Sequence, residues 1–234
     1  MKIEVWSDYV CPFCYIGKRQ LELAIKESGY ENNIEVEFKS FLLDPNTPKD
    51  SNRTVFESLA SKYGMSVEEA KGTTASVAAR AKEVGLDYDF NAMMEANTVN
   101  AHRLAKLAIQ HHVENVFNEK LMKAYFIEGK NIGDDVVLKD LALEAGLSEH
   151  EVDTVLQSNQ FIEDVELDIK QASELGVRGV PFFVFENKYG ISGAQPLSLF
   201  LQTIVQTASD LGLRKKIEVV GSEGTNCTND ECDL

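Results

Sequence analysis

Cys11 and Cys14 stand two residues apart, with Pro12 and Phe13 between them. A thiol pair at this spacing suits disulfide exchange. One thiolate attacks a disulfide sulfur, and the second thiol resolves the mixed disulfide that forms. Two intervening residues let both sulfurs meet across one helical turn, provided a helix begins at the pair. The first sulfur then sits where unpaired amide N–H groups and the positive end of the helix dipole favour a thiolate. Cysteines in such settings titrate at roughly 3.5–7.5, against about 8.5 for a free one. Cys11 is therefore expected to be the exposed attacker, and Cys14, a turn deeper, the resolver. Phe13 brings no charge to the thiolate, so a less oxidising pair is expected than one with a cation or histidine at that position.

The elements that must position this pair can be read around it. Residues 2–6 alternate as a short strand, and Ser7 to Val10 turn out of it. A helix is expected from about Pro12 to Ser28, with Pro12 in the first turn, where no amide donor is needed, and Gly29 at the stop. Residues 34–42 alternate again. The result is a βαβ unit with the cysteines at its first strand–helix junction. From Asp44 to about Glu174 only helical patterns follow, near 53–63, 66–84, 91–112, 113–128, 135–145, 148–158 and 161–175. Ser66 with Glu69, and Ser148 with Glu151, match capping boxes. Strand character returns at Phe182–Phe185 and Tyr189–Ser192, and a last helix is expected over 196–211.

A second signal is Gly179-Val180-Pro181-Phe182. Proline at the entry to a buried strand removes a ladder donor and needs a reason. A cis bond, as in folds that resemble thioredoxin, where it sets a loop beside the active-site cysteines, is one, with the free Val180 backbone able to pair with an extended peptide. An ordinary trans proline at a strand start is the other. Pro12, Phe13 and Val180 are the expected substrate-contacting residues, with Tyr15 and Phe182 either completing an apolar rim or serving in the core.

The chain has 234 residues, is 44% hydrophobic and carries a net charge of −15. Such a surface repels phosphate backbones, so nucleic acid is not an expected partner. No apolar run reaches the roughly 20 residues that span a bilayer. The N-terminal residues lack a signal-like apolar stretch, and a cytoplasmic location is expected. The remaining cysteines, Cys227 and Cys232, lie in an acidic, aperiodic tail at 214–234. They either exchange electrons with the first pair or stand by as idle thiols. All four cysteines together would make a zinc set, but the Cys227–Cys232 spacing is wide for a zinc hairpin and Pro12 at a helix start suits redox chemistry; no metal is expected. His102 is read as a packed or capping side chain in preference to a proton relay, and His111 and His112 point to different helix sides.

Ser7-Asp8-Tyr9-Val10-Cys11-Pro12-Phe13-Cys14-Tyr15-Ile16-Gly17, Asn97-Thr98 with Ala101-His102-Arg103, Gly176 to Phe183, and Ile191-Ser192-Gly193-Ala194-Gln195 carry a family resemblance. The sequence resembles the DsbA-like branch of the thioredoxin superfamily, and within it the cytosolic FrnE-like proteins. The resemblance implies an α/β thioredoxin-like fold, formed by 1–43 with 176–213, and a large all-helical insertion domain at 44–175. It also implies dithiol oxidase, reductase or isomerase activity on disulfide-containing or unfolded proteins, with roles for Cys11, Cys14 and Pro181. Phe13 departs from DsbA itself, which has histidine there. The sister kappa-class glutathione transferases and chromene-carboxylate isomerases carry serine where this chain has Cys11. A glutathione-dependent isomerase or a holdase-type chaperone are the alternatives. No bound cofactor is expected, with glutathione available as a reductant.

Overall fold

The computed structural model describes residues 1–214. The acidic tail beyond Arg214, with Cys227 and Cys232, lies outside the described residues. Strand β1 (Lys2–Ser7) runs into helix α1 (Pro12–Ser28), which ends at Gly29 in the left-handed conformation. Strand β2 (Glu35–Ser40) lies parallel to β1, with Ile3 opposite Val36. After the helices come β3 (Phe182–Phe185) and β4 (Tyr189–Ser192), an antiparallel hairpin whose first strand pairs antiparallel with β1. The sheet order is β2-β1-β3-β4. Helix α9 (Leu197–Asp210) closes the described chain. This is the thioredoxin-like arrangement.

The period-two alternation of β1 sorts its side chains. Ile3 and Val5, with Phe183 and Phe185 of β3, face α1 and α9, where they meet Leu21, Ala24, Phe200 and Ile204. Phe183 and Phe200 meet edge to face, with ring centroids 4.8 Å apart, an arrangement worth about 1 kcal/mol beyond burial. Trp6 and Val184 face the other way and pack with Ala172 and Val177.

Seven helices lie between β2 and β3: α2 (Val55–Tyr63), α3 (Val67–Lys82), α4 (Val99–Gln110), α5 (Glu114–Phe126), α6 (Asp135–Glu144), α7 (Glu149–Gln157) and α8 (Ile162–Glu174). Ser66 and Glu69 form the expected reciprocal capping box, and Thr54 with Glu57 forms another at the start of α2. The helix expected over 91–112 begins only at Val99. Residues 91–98 instead run beside the entry to α2, with Val55 N donating to Met93 O at 3.2 Å and Glu95 N to Arg53 O at 2.9 Å. Asn97 Oδ1 then accepts from Val99 N at 3.1 Å, and Asn97 Nδ2 donates to Thr47 O at 2.6 Å. A long-range pairing has overridden the local apolar periodicity.

The helices are joined firmly to the sheet. Asp168 of α8 is buried; it accepts from Ser40 N at 2.7 Å, pairs with Lys106 of α4, and takes the Trp6 indole N–H on its own carbonyl at 2.9 Å. Glu119 of α5 accepts from Lys18, Arg19 and Tyr15 of α1. Buried Arg103 of α4 donates to the carbonyls of Val155, Ser158 and Gln160 at the end of α7. Among the described residues no helix is long and apolar enough to cross a membrane.

Candidate active site

Cys11 is the N-cap of α1, in extended conformation at φ −86° and ψ 110°, with Pro12 opening the helix. No acidic residue occupies the first turn of α1, so its amide donors face the cysteine unopposed by charge on the same turn. Cys14 lies a turn deeper, within hydrogen-bond reach of the Cys11 sulfur. Neither is in a disulfide. Burial pushes the Cys14 thiol well above its usual range, and the neighbouring Cys11 adds to this. Ser7 and the Asp8 backbone, which face the sulfur, act in the opposite direction.

The Val180–Pro181 peptide is cis, as expected for a loop held beside the pair. The Cys11 thiol donates to Val180 O at 3.4 Å. Pro181 is buried, and its carbonyl accepts from Gly193 N at 2.8 Å. The approach of this loop to α1 depends on Gly17. A Cβ there would stand 3.1 Å from Pro181 Cγ and 3.0 Å from the Phe183 ring.

One expectation needs correction. Cys11 is 4% exposed and is no freely exposed attacker. The helical lobe covers it, and its access is through a cleft of about 530 Å³. Cys11, Pro12, Phe13 and Val180 form one end of the cleft, and Val77, Met93 and Phe126 belong to its mostly apolar wall. Phe13 therefore does reach the rim, whereas Tyr15 is fully buried and Phe182 packs on the Trp6 side. Two carboxylates, Asp44 and Glu95, line the cleft, and Glu95 is the less exposed of them. Burial raises its pKa, but hydroxyls of Ser51 (2.5 Å) and Ser58 (2.6 Å) outweigh this and hold it below the usual range.

Several supporting residues were not singled out from sequence. Tyr88 Oη donates to Pro12 O at 2.8 Å and stacks on Phe126, with centroids 4.7 Å apart. The Arg80 guanidinium lies 5.5 Å from the centre of the Phe13 ring and donates to Ala194 O. A cation does therefore stand beside position 13, though it comes from α3. Behind the pair, Asp8 is 1% exposed, accepts from Leu43 N at 2.8 Å, and meets His102 Nε2 at 3.3 Å. His102 is thus a packed partner of the active-site turn, with its ring 4.6 Å from that of Tyr9. Among the described residues no cluster of histidine, cysteine and carboxylates is placed to hold a metal ion.

Comparison with known proteins gives a consistent picture. A model of the DSBA-like thioredoxin domain matches residues 2–205. A probable DsbA oxidoreductase from Streptomyces coelicolor is 35% identical, with 100% of this chain and 99% of that one aligned at a TM-score of 0.85. The uncharacterized protein YwbO of Bacillus subtilis is 30% identical over 204 residues, 86% of this chain and 94% of that protein. The cytosolic disulfide reductase DsbM of Pseudomonas aeruginosa, solved with glutathione, shares the fold at 15% identity and a TM-score of 0.60, over 88% of this chain and 100% of that one. With its cysteine pair at a helix N-terminus, its cis proline and a model match over most of its length, this chain belongs to the DSBA-like thioredoxin domain family.

Proposed function

We propose that the protein is a cytoplasmic thiol–disulfide oxidoreductase that reduces or isomerises disulfides in protein substrates through Cys11 and Cys14. The observation that carries this reading is the position of the Cys11 sulfur. It belongs to the N-cap residue of α1, faces the Val180 carbonyl beside the cis proline, and lies at one end of an apolar cleft. An extended or partly unfolded segment bearing a disulfide pairs with the Val180 backbone and lays apolar side chains against Pro12, Phe13 and the cleft wall.

The Cys11 thiolate attacks one sulfur of the substrate disulfide. The Cys11–substrate bond forms, and the second substrate sulfur leaves as a thiolate. Cys14, once deprotonated, attacks Cys11. The Cys11–Cys14 disulfide forms and the first substrate sulfur departs. The substrate is reduced by two electrons and the enzyme oxidised by two. A thiol reductant such as glutathione returns the pair to the dithiol without a bound cofactor. In a reducing compartment the balance favours reduction and isomerisation over net oxidation. Cys227 and Cys232 offer a second dithiol that can take electrons to or from this pair.

Insulin reduction tests the reading. Cys11→Ser is expected to lose the activity, and Cys14→Ser to accumulate a mixed disulfide on Cys11, visible by mass. Full reduction by the Cys11→Ser variant sinks the mechanism. Aggregation suppression that survives replacement of all four cysteines by serine, with no reductase activity in the parent, points instead to a holdase.

A further inference from the structure

Three buried side-chain atoms have no hydrogen-bond partner among the described residues: Ser7 Oγ, Glu114 Oε2 and Asn118 Nδ2. All three residues line one small cavity behind the Cys11–Cys14 turn. Leaving such atoms unpaired is costly, and native interiors rarely do so. The cavity offers about 10 Å³, close to the least space one water molecule occupies, and its walls supply the two to four polar partners such a water needs. Ser7 Oγ also faces the Cys14 sulfur. Glu114, at the start of α5, is half-buried and spans from the cavity towards solvent.

From this arrangement we infer that the cavity binds an ordered water which, with Ser7 and Glu114, forms the proton exit for Cys14. The inference rests on the reading of Cys14 as resolving thiol. In the resolving step the Cys14 proton passes to Ser7 Oγ, the Ser7 hydroxyl proton passes to the water, and the water yields a proton to the Glu114 carboxylate. The Cys14 thiolate then attacks the Cys11 sulfur. The Cys11–Cys14 bond forms, the bond from Cys11 to substrate breaks, and the electron pair leaves on the substrate sulfur, which takes a proton from solvent. Glu114 returns its proton to solvent. Asn118 holds the water, being fixed itself by the Tyr9 hydroxyl, which donates to Asn118 Oδ1 at 2.6 Å. A relay is needed here because burial keeps the Cys14 thiol protonated and hydroxide is scarce near neutral pH.

The other titratable groups around this path are accounted for. Lys39, Lys106, His102 and Tyr9 also line the cavity. Both lysines are paired to Asp168, and His102 to Asp8. Cys14 itself is faced by Cys11, the Asp8 backbone and, with the cysteines acting on its hydroxyl, Tyr88.

Rapid mixing with dithiobis-nitrobenzoate separates the steps in the reduced full-length chain carrying Cys227→Ser and Cys232→Ser, the parent for this test, because the tail thiols would release the yellow thiolate as well. The first yellow thiolate reports attack by Cys11, and the second reports resolution by Cys14. Cys14→Ser should release only the first. If the parent protein also stops at one, the resolving role fails and the relay with it. Given two releases, Glu114→Gln and Ser7→Ala should each slow the second about 10²-fold near neutral pH, the scale of a lost proton-transfer group, and leave the first unchanged. The deficit should shrink as pH rises and hydroxide takes over, and Glu114→Asp should restore most of the rate. A second release at the parental rate across the pH range in Glu114→Gln overturns the relay while leaving the resolving role intact. Equal slowing of both releases overturns it too, since that marks a structural disturbance of the whole turn.

Discussion

The Cys11–Cys14 turn has two unlike neighbours. In front of it lies the cleft, whose walls are mostly apolar and whose carboxylate Glu95 is tied down by two serine hydroxyls. Behind it lies a polar seam in which Ser7, Asp8, His102 and Asn118 are each under 6% exposed. A front that must admit substrate gains by being apolar and forgiving. A back that fixes the turn and, in the proposed relay, moves protons gains by being polar. The difference predicts that truncation behind the turn harms folding most, while truncation in front of it mainly alters substrate affinity.

The sharpest break of that contrast is Asp8→Ala. It removes the acceptor of Leu43 N and the partner of His102, both buried. Stability should fall by about 3 kcal/mol, the scale for leaving buried polar groups unpaired, measurable by urea unfolding. Val77→Ala in the cleft wall should cost about 1 kcal/mol or less and appear chiefly as a raised KM. If Asp8→Ala is no worse than Val77→Ala, the seam does not brace the turn.

Gly17→Ala probes the plane between the two regions. The added methyl must push against Pro181 and Phe183. Overpacking of this kind costs about 1–3 kcal/mol. Because the displaced group is the loop beside Cys11, insulin reduction should fall by more than the stability loss explains. An active, fully stable Gly17→Ala protein shows that the loop has room the geometry denies.

Much of this frame was legible in the sequence, and the reasons differ by region. Strands β1 to β4 and helix α1 announce themselves by alternation, by Pro12 at a helix start and by Gly29 at its end. These are local signals, and they fix where the two cysteines and Pro181 stand. The cleft was not legible, because its wall gathers Val77, Met93 and Phe126 from separate helices whose docking no local pattern records. Residues 91–98 misled for the same reason: their apolar spacing suits a helix, but the long-range pairing with Arg53 and Val55 decides. The polar seam was half-legible. Ser7, Asp8 and His102 stand within the motif segments, yet only the fold brings His102 to Asp8 or Asn118 to Tyr9. Arg80 beside Phe13 left no trace at all in the local sequence.

The two sides should also differ in pH response. Burial holds the Cys14 thiol well above its usual range, while an unfolded thiol ionises near about 8.5. Above that pH only the unfolded chain gives up this proton. The reduced protein should lose about 1.4 kcal/mol of stability per pH unit from this one group, until the folded thiol also ionises. Cys14→Ala removes that slope. The buried tyrosines Tyr9, Tyr88 and Tyr125, raised chiefly by burial, add their own loss nearer pH 10 in both proteins. The front has its weak point at acid pH. Glu95 is held low by its serines against the opposing effect of burial, so its contribution is present above about 4.3 and lost as pH falls through the folded value. Thermal melts of reduced parent and Cys14→Ala between pH 8 and 10 check the alkaline half, and parallel curves refute it.

The smallest effect expected lies at the front edge, where Arg80 meets Phe13. The guanidinium stabilises negative charge nearby, and a thiolate on Cys11 is the charge that reduction creates. At a separation on the order of 10 Å, with an effective dielectric between surface and water, the attraction is roughly 0.4–1.7 kcal/mol. For a two-electron couple that converts to about 10–40 mV. Arg80→Gln should therefore make the pair more reducing by that amount in a glutathione redox titration, with the shift shrinking at high salt. Replacing Phe13 by histidine in the parent should move the potential the other way by less than such a change would in a site lacking Arg80, because the imidazolium would meet a guanidinium already there. A Phe13→His protein that becomes strongly oxidising with Arg80 present means the guanidinium is turned away from the thiolate. The front wall would then act on substrate alone and leave the potential of the pair to α1.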